Sequence, residues 1–255
     1  MELYKETTGK EYLTSSFSKI LETNQLIAIA ESHSGIIRPS KSSPLAILKS
    51  HSVEFPAKSE KDEVRYSLPV GSLYNSIIFR YREEPDETPT IVRYSKVWMI
   101  GEESVPQNRR GILEINASQV PETLRSQAFI ASLSSAGRVS YAGGKWDGDK
   151  LKTKVKFGRF FVAVDTNAPD VSFVSLSRGA IRSNGILTVI AKDDLSGIAD
   201  YRVEIDGKWV LSNLKGSRIS VNLKNEGIER GRHDVKVIVT DNCGNRYEEN
   251  RELVY

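Results

Sequence analysis

The chain has 255 residues, with 36 lysines and arginines against 33 aspartates and glutamates and a formal charge of +3. Hydrophobic residues make up 39% and charged residues 27%, ordinary proportions for a globular chain of roughly one to three domains. The small positive excess is spread along the sequence and asks for no nucleic-acid partner, and no apolar run nears the roughly 18 residues of a helical membrane span.

The opening Met1-Glu2-Leu3-Tyr4-Lys5-Glu6 mixes charges. It lacks a basic region followed by an apolar core, so it is no signal peptide; either the protein is cytoplasmic or the chain is a piece of a longer exported one. Residues 1–55 read as a short amino-terminal α/β segment. Thr14 and Ser15 can cap a helix with Phe17, Ile20 and Leu21 on one face, and Leu26–Ala30 reads as a buried strand. Five serines, Gly35 and Pro39 between Ser32 and Ser43 predict a loop.

From there the pattern is β. Residues 56–165 carry short segments rich in β-branched and aromatic residues: Val64–Leu68, Ile77–Tyr81, Ile91–Met99, Ile112–Ile115, Phe129–Leu133, Val139–Tyr141, Lys152–Phe157 and Phe160–Val164. Asp165-Thr166-Asn167-Ala168-Pro169 marks a domain boundary, since Pro169 has no N–H to give a sheet and holds Ala168 extended. Residues 169–255 add Val171–Leu176, Ile186–Lys192, Ala199–Ile205, Lys208–Leu211, Ser217–Leu223, Asp234–Thr240 and Tyr247–Val254. About seven strands in that length are the count of an immunoglobulin- or fibronectin-like sandwich. Ile205-Asp206-Gly207-Lys208 predicts a type I′ hairpin, whose two central residues need positive φ. The expected fold class is all-β, tandem sandwiches with the last immunoglobulin- or fibronectin-like.

Chemistry is harder to find. His33, His51 and His233 show no metal-ligand spacing, and Cys243 is the single cysteine, which excludes a disulfide within the chain and a thiolate zinc cluster. No nucleophile elbow, P-loop or dinucleotide fingerprint occurs, and no cofactor is expected. Two groups of residues remain as candidates. Lys145, Trp146 and Asp147 lie in a Gly-rich stretch, where Trp146 either stacks on a sugar or peptide or folds back on a sheet. Asp193-Asp194-Leu195-Ser196-Gly197 and Asp241-Asn242-Cys243-Gly244-Asn245 are oxygen-rich. Asp193, Asp194, Asp241 and Asn245 could share a Ca²⁺ ion if the sandwich brings the two turns together. Equally, Asp, Asn and Gly are what turns need for conformation, with Gly197, Asp206, Gly207 and Gly244 as turn formers.

Residues from about 60 to 255 carry an ordered set of motifs. Leu68-Pro69-Val70-Gly71-Ser72-Leu73-Tyr74, Phe157-Gly158-Arg159-Phe160, Asp165 to Pro169, Asp194 to Ile198, Ile205 to Val210 and Val239 to Asn245 follow in sequence. In this order and spacing they resemble the β-sandwich region that follows the peptidase in lysostaphin-type peptidoglycan peptidases exported by Gram-negative bacteria. The peptidases of that family hold zinc through a His and an Asp of one motif and a His of a later H-x-H. This chain has no H-x-H, so the resemblance implies architecture and an exported, periplasmic or cell-envelope setting without hydrolysis. It implies a non-catalytic accessory, binding or spacer module, not an enzyme, whose partners are peptidoglycan or a cell-envelope peptidase domain. The alternative is a free-standing adhesion or carbohydrate-binding sandwich.

Overall fold

A computed structural model describes residues 36–37, 45–47, 52–55, 63–75, 77–85, 91–174, 176–177, 180–181 and 184–255. The helix expected after Thr14 and Ser15, the strand at Leu26–Ala30, His33 and His51 lie outside the described residues. What is described is built of β-strands, with one 3-10 helix at Glu122–Gln127. Proline at position 121 suits the start of that helix, where its missing N–H costs nothing. No described helix is long and apolar enough to cross a membrane. The chain divides into two compact units, Met1–Val120 with Phe129–Ala163, and Pro121–Ala128 with Val164–Tyr255.

The first unit contains three sheets. One has six strands in the order Ile36–Ile37, Ser52–Phe55, Val64–Leu68, Gly111–Asn116, Lys150–Val155 and Lys145–Asp147. The second has five, in the order Val139–Tyr141, Ala128–Leu133, Gly158–Val164, Val97–Ile100 and Tyr81–Glu84. A two-stranded sheet pairs Leu45–Ile47 with Ile77–Phe79. Strict alternation of buried and half-buried residues along Val64–Leu68 and Gly111–Asn116 gives the six-stranded sheet one apolar face. Tyr66, Leu113, Ile115 and Leu151 on it are fully buried. An aromatic group joins them, with Phe157 between Tyr66 and Phe79 at centroid distances of 5.9 and 5.4 Å. Burial pushes the Tyr66 phenol up to about 12, opposed by its contact with Gln107. Gln107 in turn accepts the Phe157 N–H at 2.6 Å, satisfying a buried backbone donor.

Three expectations for this unit need correction. The predicted loop at Ser32–Ser43 contains the strand Ile36–Ile37, which pairs in parallel with Ser52–Val53. Ile77–Tyr81 is two strands: at Arg80 the chain changes partners, and the Arg80 carbonyl accepts the Gly101 N–H at 2.8 Å. In Ile91–Met99 a strand runs only from Val97 to Ile100. Before it, the Ser95 hydroxyl takes the Val162 N–H at 2.8 Å, so a side chain stands where the ladder would need a carbonyl.

The second unit is a sandwich of two sheets around one core. Asp170–Phe173, Ile186–Lys192, Arg218–Asn222 and Asn213–Lys215 form the four-stranded sheet. Leu176–Ser177, Ala180–Ile181, Arg246–Val254, Arg232–Asp241, Ile198–Ile205 and Lys208–Trp209 form the six-stranded one. Leu187, Val189, Ala191, Ile219 and Val221 from the first sheet pack with Val203, Ile205, Val235, Val237, Val239 and Leu253 from the second. These core residues fall at every second position, which is the pleat of a strand with one apolar face. Asp206 and Gly207 have φ of 51° and 74°, and Ile205 pairs with Lys208 across them. The hairpin is tied further by Asp206, whose carboxylate accepts the Asp234 N–H at 3.0 Å and meets His233 Nδ1 at 2.7 Å. That contact holds the His233 imidazole above its ordinary pKa and the Asp206 carboxyl below its own.

Candidate functional site

The stretch around Trp146 is ordered as a hairpin rather than a long loop. Lys145–Asp147 pairs antiparallel with the strand Lys150–Val155 in register Trp146↔Leu151, and Gly148, at φ 61°, makes the turn. Alternation along this edge strand sends Trp146 to one face of the sheet and Lys145 and Asp147 to the other. Trp146 is half-buried, while Lys145 and Asp147 are exposed. The three residues predicted together as a binding surface therefore do not share one. Asp147 lies 3.9 Å from Lys152, whose ammonium also meets Glu114 at 2.9 Å.

The two acidic turns do converge, at one end of the carboxy-terminal sandwich, and bring a third residue with them. Asp165, Asp193 and Asp241 each offer a carboxylate oxygen within 4.8 Å of the others. Each carboxylate accepts from its own turn, and Asp165 also from the turn at Asp193. Asp165 accepts the N–H of Asn167 at 3.1 Å and of buried Ser196 at 2.9 Å. Asp193 Oδ2 accepts from Leu195 N at 3.1 Å and Gly197 N at 2.6 Å, with the Ser196 hydroxyl at 3.4 Å. Asp241 Oδ1 accepts from the backbone of Cys243 and Asn245, both at 2.8 Å. Asp165 and Asp241 are 1% and 2% exposed, and among the described residues no lysine or arginine pairs with any of the three.

Asn245 locks these turns together. Its amide donates to the Asp165 carbonyl at 2.8 Å and to Asp241 Oδ2 at 2.7 Å, and its oxygen accepts from Gln127 at 2.6 Å. Asn242 adds bonds to the carbonyls of Ser196 and Gly197 at 2.9 and 3.0 Å. Of the four residues predicted to share a cation, Asp193 and Asp241 are brought together. Asp194 is exposed, with Asn167 Nδ2 at 3.5 Å, and stays outside the cluster. Asn245 is adjacent but presents its N–H₂, which repels a cation, because Gln127 has taken its oxygen. Asp165 was missed as a cluster member because its motif reads as a linker; its position just after a strand, two residues before Asn167, is the signal of an Asx turn.

One atom is left over. Asp193 Oδ1 is buried with no hydrogen-bond partner among the described residues. Desolvation raises the Asp193 pKa, and the charges of Asp165 and Asp241 add to the rise against the pull of the Gly197 and Leu195 N–H groups. Burial pushes the neighbouring Cys243 thiol up to about 12, so it stays protonated and unreactive. Ca²⁺ takes six to eight oxygens, whereas this cluster has five of its six carboxylate oxygens already accepting N–H or O–H groups. The carboxylates are tied into a hydrogen-bonded knot, and each accepting oxygen keeps a second lone pair.

A family model described as a Zu5-like domain matches residues 52–165. Among solved structures the chain is similar to fibronectin(III)-like modules of Clostridium thermocellum CbhA, at 14% identity and a TM-score of 0.28, covering 80% of this chain and 84% of that one. No curated protein matches.

Proposed function

We propose that the chain is a non-catalytic accessory module of an exported, cell-envelope protein, a spacer or wall-binding unit that works beside a peptidoglycan peptidase. One observation carries this reading: the residues on which the resemblance rests are used to build turns. Gly71 turns the chain at φ 74°, and the Ser72 hydroxyl closes that turn on the Pro69 carbonyl at 2.6 Å. Asp165, Ser196, Gly197, Asp241 and Asn245 are spent on the knot. Motif residues consumed by architecture support a role in which architecture is the function, and β-units with their own cores suit a modular spacer.

Co-sedimentation of the purified chain with peptidoglycan sacculi, read together with muropeptide release, tests this. Saturable binding without release is the expected result. Release of muropeptides above the buffer control would overturn the non-catalytic reading, and no binding to sacculi or to a wall peptidase would overturn the association.

A further inference from the structure

Away from the knot, one end of the first unit opens a cleft of about 250 Å³. Its walls come from three places in the sequence: Glu63 before the strand Val64–Leu68, Tyr94 to Trp98 leading into Val97–Ile100, and Asn116 to Gln119 following Gly111–Asn116. Backbone bonds hold these walls in place, with Asn116 N donating to the Glu63 carbonyl at 2.8 Å and Tyr94 N to the Val162 carbonyl at 2.9 Å. Trp98 forms the floor and is 1% exposed.

What distinguishes this cleft is how few of its polar groups the fold uses. Ser95 is spent, donating to the Lys96 carbonyl and accepting from Val162 N. Asn116 has its oxygen fixed by the Ser118 N–H at 2.9 Å, which leaves its Nδ2 group without a partner among the described residues. The Tyr94 and Ser118 hydroxyls and the Gln119 amide have none there either. The charges, by contrast, meet one another, two carboxylates on one ammonium, with the buried Glu63 Oε2 making no hydrogen bond besides that ion pair. Lys96 sits 3.4 Å from Glu63 and 2.9 Å from Glu83, and its ammonium lies 6.0 Å from the centre of the Trp98 ring.

A wall of this kind selects by chemistry. A phosphate would have to displace Glu63 and Glu83 from Lys96, and a polyamine would meet Lys96 itself, so both lose more than they gain. Uncharged hydroxyls and amides, each able to donate and accept, can pair with Tyr94, Asn116, Ser118 and Gln119 without breaking an ion pair. The volume lies just under the roughly 300–1,000 Å³ of pockets for drug-sized ligands, which is the scale of a single sugar ring with its substituents. We infer that this cleft binds a neutral sugar residue of a glycan, of the N-acetylated hexosamine class, whose amide can pair with the Gln119 amide while the Tyr94 ring covers its C–H face. This rests on the wall-associated reading above and gives that reading a chemical contact.

The probe is tri-N-acetylchitotriose, titrated into the ¹⁵N-labelled chain. Saturable shifts of backbone amides within 94–98 and 116–119 are expected, with a Kd of about 1 mM or tighter. Gln119→Ala and Tyr94→Phe, both changes at the cleft wall, are each expected to weaken binding by about tenfold, the loss of one well-made hydrogen bond. Inorganic phosphate and spermidine are expected to leave these amides unmoved. Absence of saturable shifts, shifts centred elsewhere, or variants that bind as the parent does would overturn the assignment. Sacculus binding that survives both substitutions overturns the cleft while leaving the accessory reading intact. Chitotriose bound in the cleft without sacculus binding upholds the cleft and overturns the wall association.

Discussion

Replacing Asp193 by Asn should stabilise the carboxy-terminal sandwich. Two unit charges 4.8 Å apart repel by about 3 kcal/mol at an effective dielectric near 20, and Asp193 faces two such neighbours. Asparagine removes that repulsion, keeps an oxygen for the N–H groups of Leu195 and Gly197, and sets an N–H₂ donor where the buried Oδ1 now has no hydrogen bond among the described residues. Against this, the bonds to Leu195 and Gly197 change from charged to neutral, a loss of about 1 kcal/mol each. About 6 kcal/mol of repulsion from the two neighbours less about 2 kcal/mol of weakened bonds leaves a gain of about 4 kcal/mol, or about 20 °C in the melting of a unit of this size. Calorimetry in EDTA at pH 7.5 reads it directly. The sign also depends on pH. Because the folded-state pKa of Asp193 is raised, the folded wild type holds a proton that the unfolded chain releases. Its stability therefore rises as pH falls through the raised pKa towards the ordinary carboxylate range, and the advantage of the variant shrinks over the same window. A variant that melts below the wild type in EDTA refutes this account of the knot. So does a wild type whose melting temperature rises with millimolar Ca²⁺ while that of the variant does not, since the cluster would then be a cation site.

Two glycines should fail for different reasons. A Cβ at Gly111 would lie 2.2 Å from the buried Tyr66 ring, so Gly111→Ala should cost about 1–3 kcal/mol in denaturant unfolding through overpacking; an unchanged midpoint would show that the ring can move aside. Gly207 has open space around it but a φ of 74°, so Gly207→Val should cost about 1–3 kcal/mol from backbone strain alone, and Gly207→Asn, which tolerates that conformation, should recover most of it. Asp206→Asn keeps the turn and the Asp234 bond but removes the charge beside His233. The His233 pKa, raised chiefly by Asp206, should fall towards its ordinary value in an NMR titration. A raised histidine contributes stability that is complete below the unfolded pKa and is lost as pH rises through the folded one. The substitution should thus cost more at pH 5.5 than at pH 9, and equal costs at both would place the contact outside the folding balance.

Much of the sandwich was legible because strands with one wet face write their burial into every second residue. Val64–Leu68, Val139–Tyr141 and Ile186–Lys192 have the same limits in the sequence reading and in the structure, and the Asp206-Gly207 turn follows from φ alone. What was not legible lies where partners, not propensity, decide. Nothing local marks Arg80 as the point where one extended run changes sheets, nor the Ser95 hydroxyl as a substitute for a ladder carbonyl. Lys145–Asp147 looked like a loop because two glycines precede it. A Cβ at Gly144 would come within 3.3 Å of the Phe129 backbone, a close approach that no local pattern records. The cleft was invisible for the same reason: its walls are brought together from positions 63, 94–98 and 116–119 by sheet pairing.

The aspartates show where sequence reasoning divides. Asp and Asn are chosen by cation sites for their oxygens and by turns for the N–H groups those oxygens can accept, so composition alone gives both readings. The direction of the hydrogen bonds shows the turn-building use. Here Asp165 and Asp241 are ringed by backbone N–H groups and Asn245 turns its donor inward, so a cation would have to use the lone pairs those donors leave. Backbone donors thus take the part of counter-charges and tie the segment at Asp165 to the turns at Asp193 and Asp241. A tie of that kind fixes where the sandwich begins, which is the task a stiff module sets its first strand. Asp193 Oδ1 is the exception to that pattern, and this is why its substitution, rather than that of the better-buried Asp165 or Asp241, separates a turn-building role from a metal-binding one.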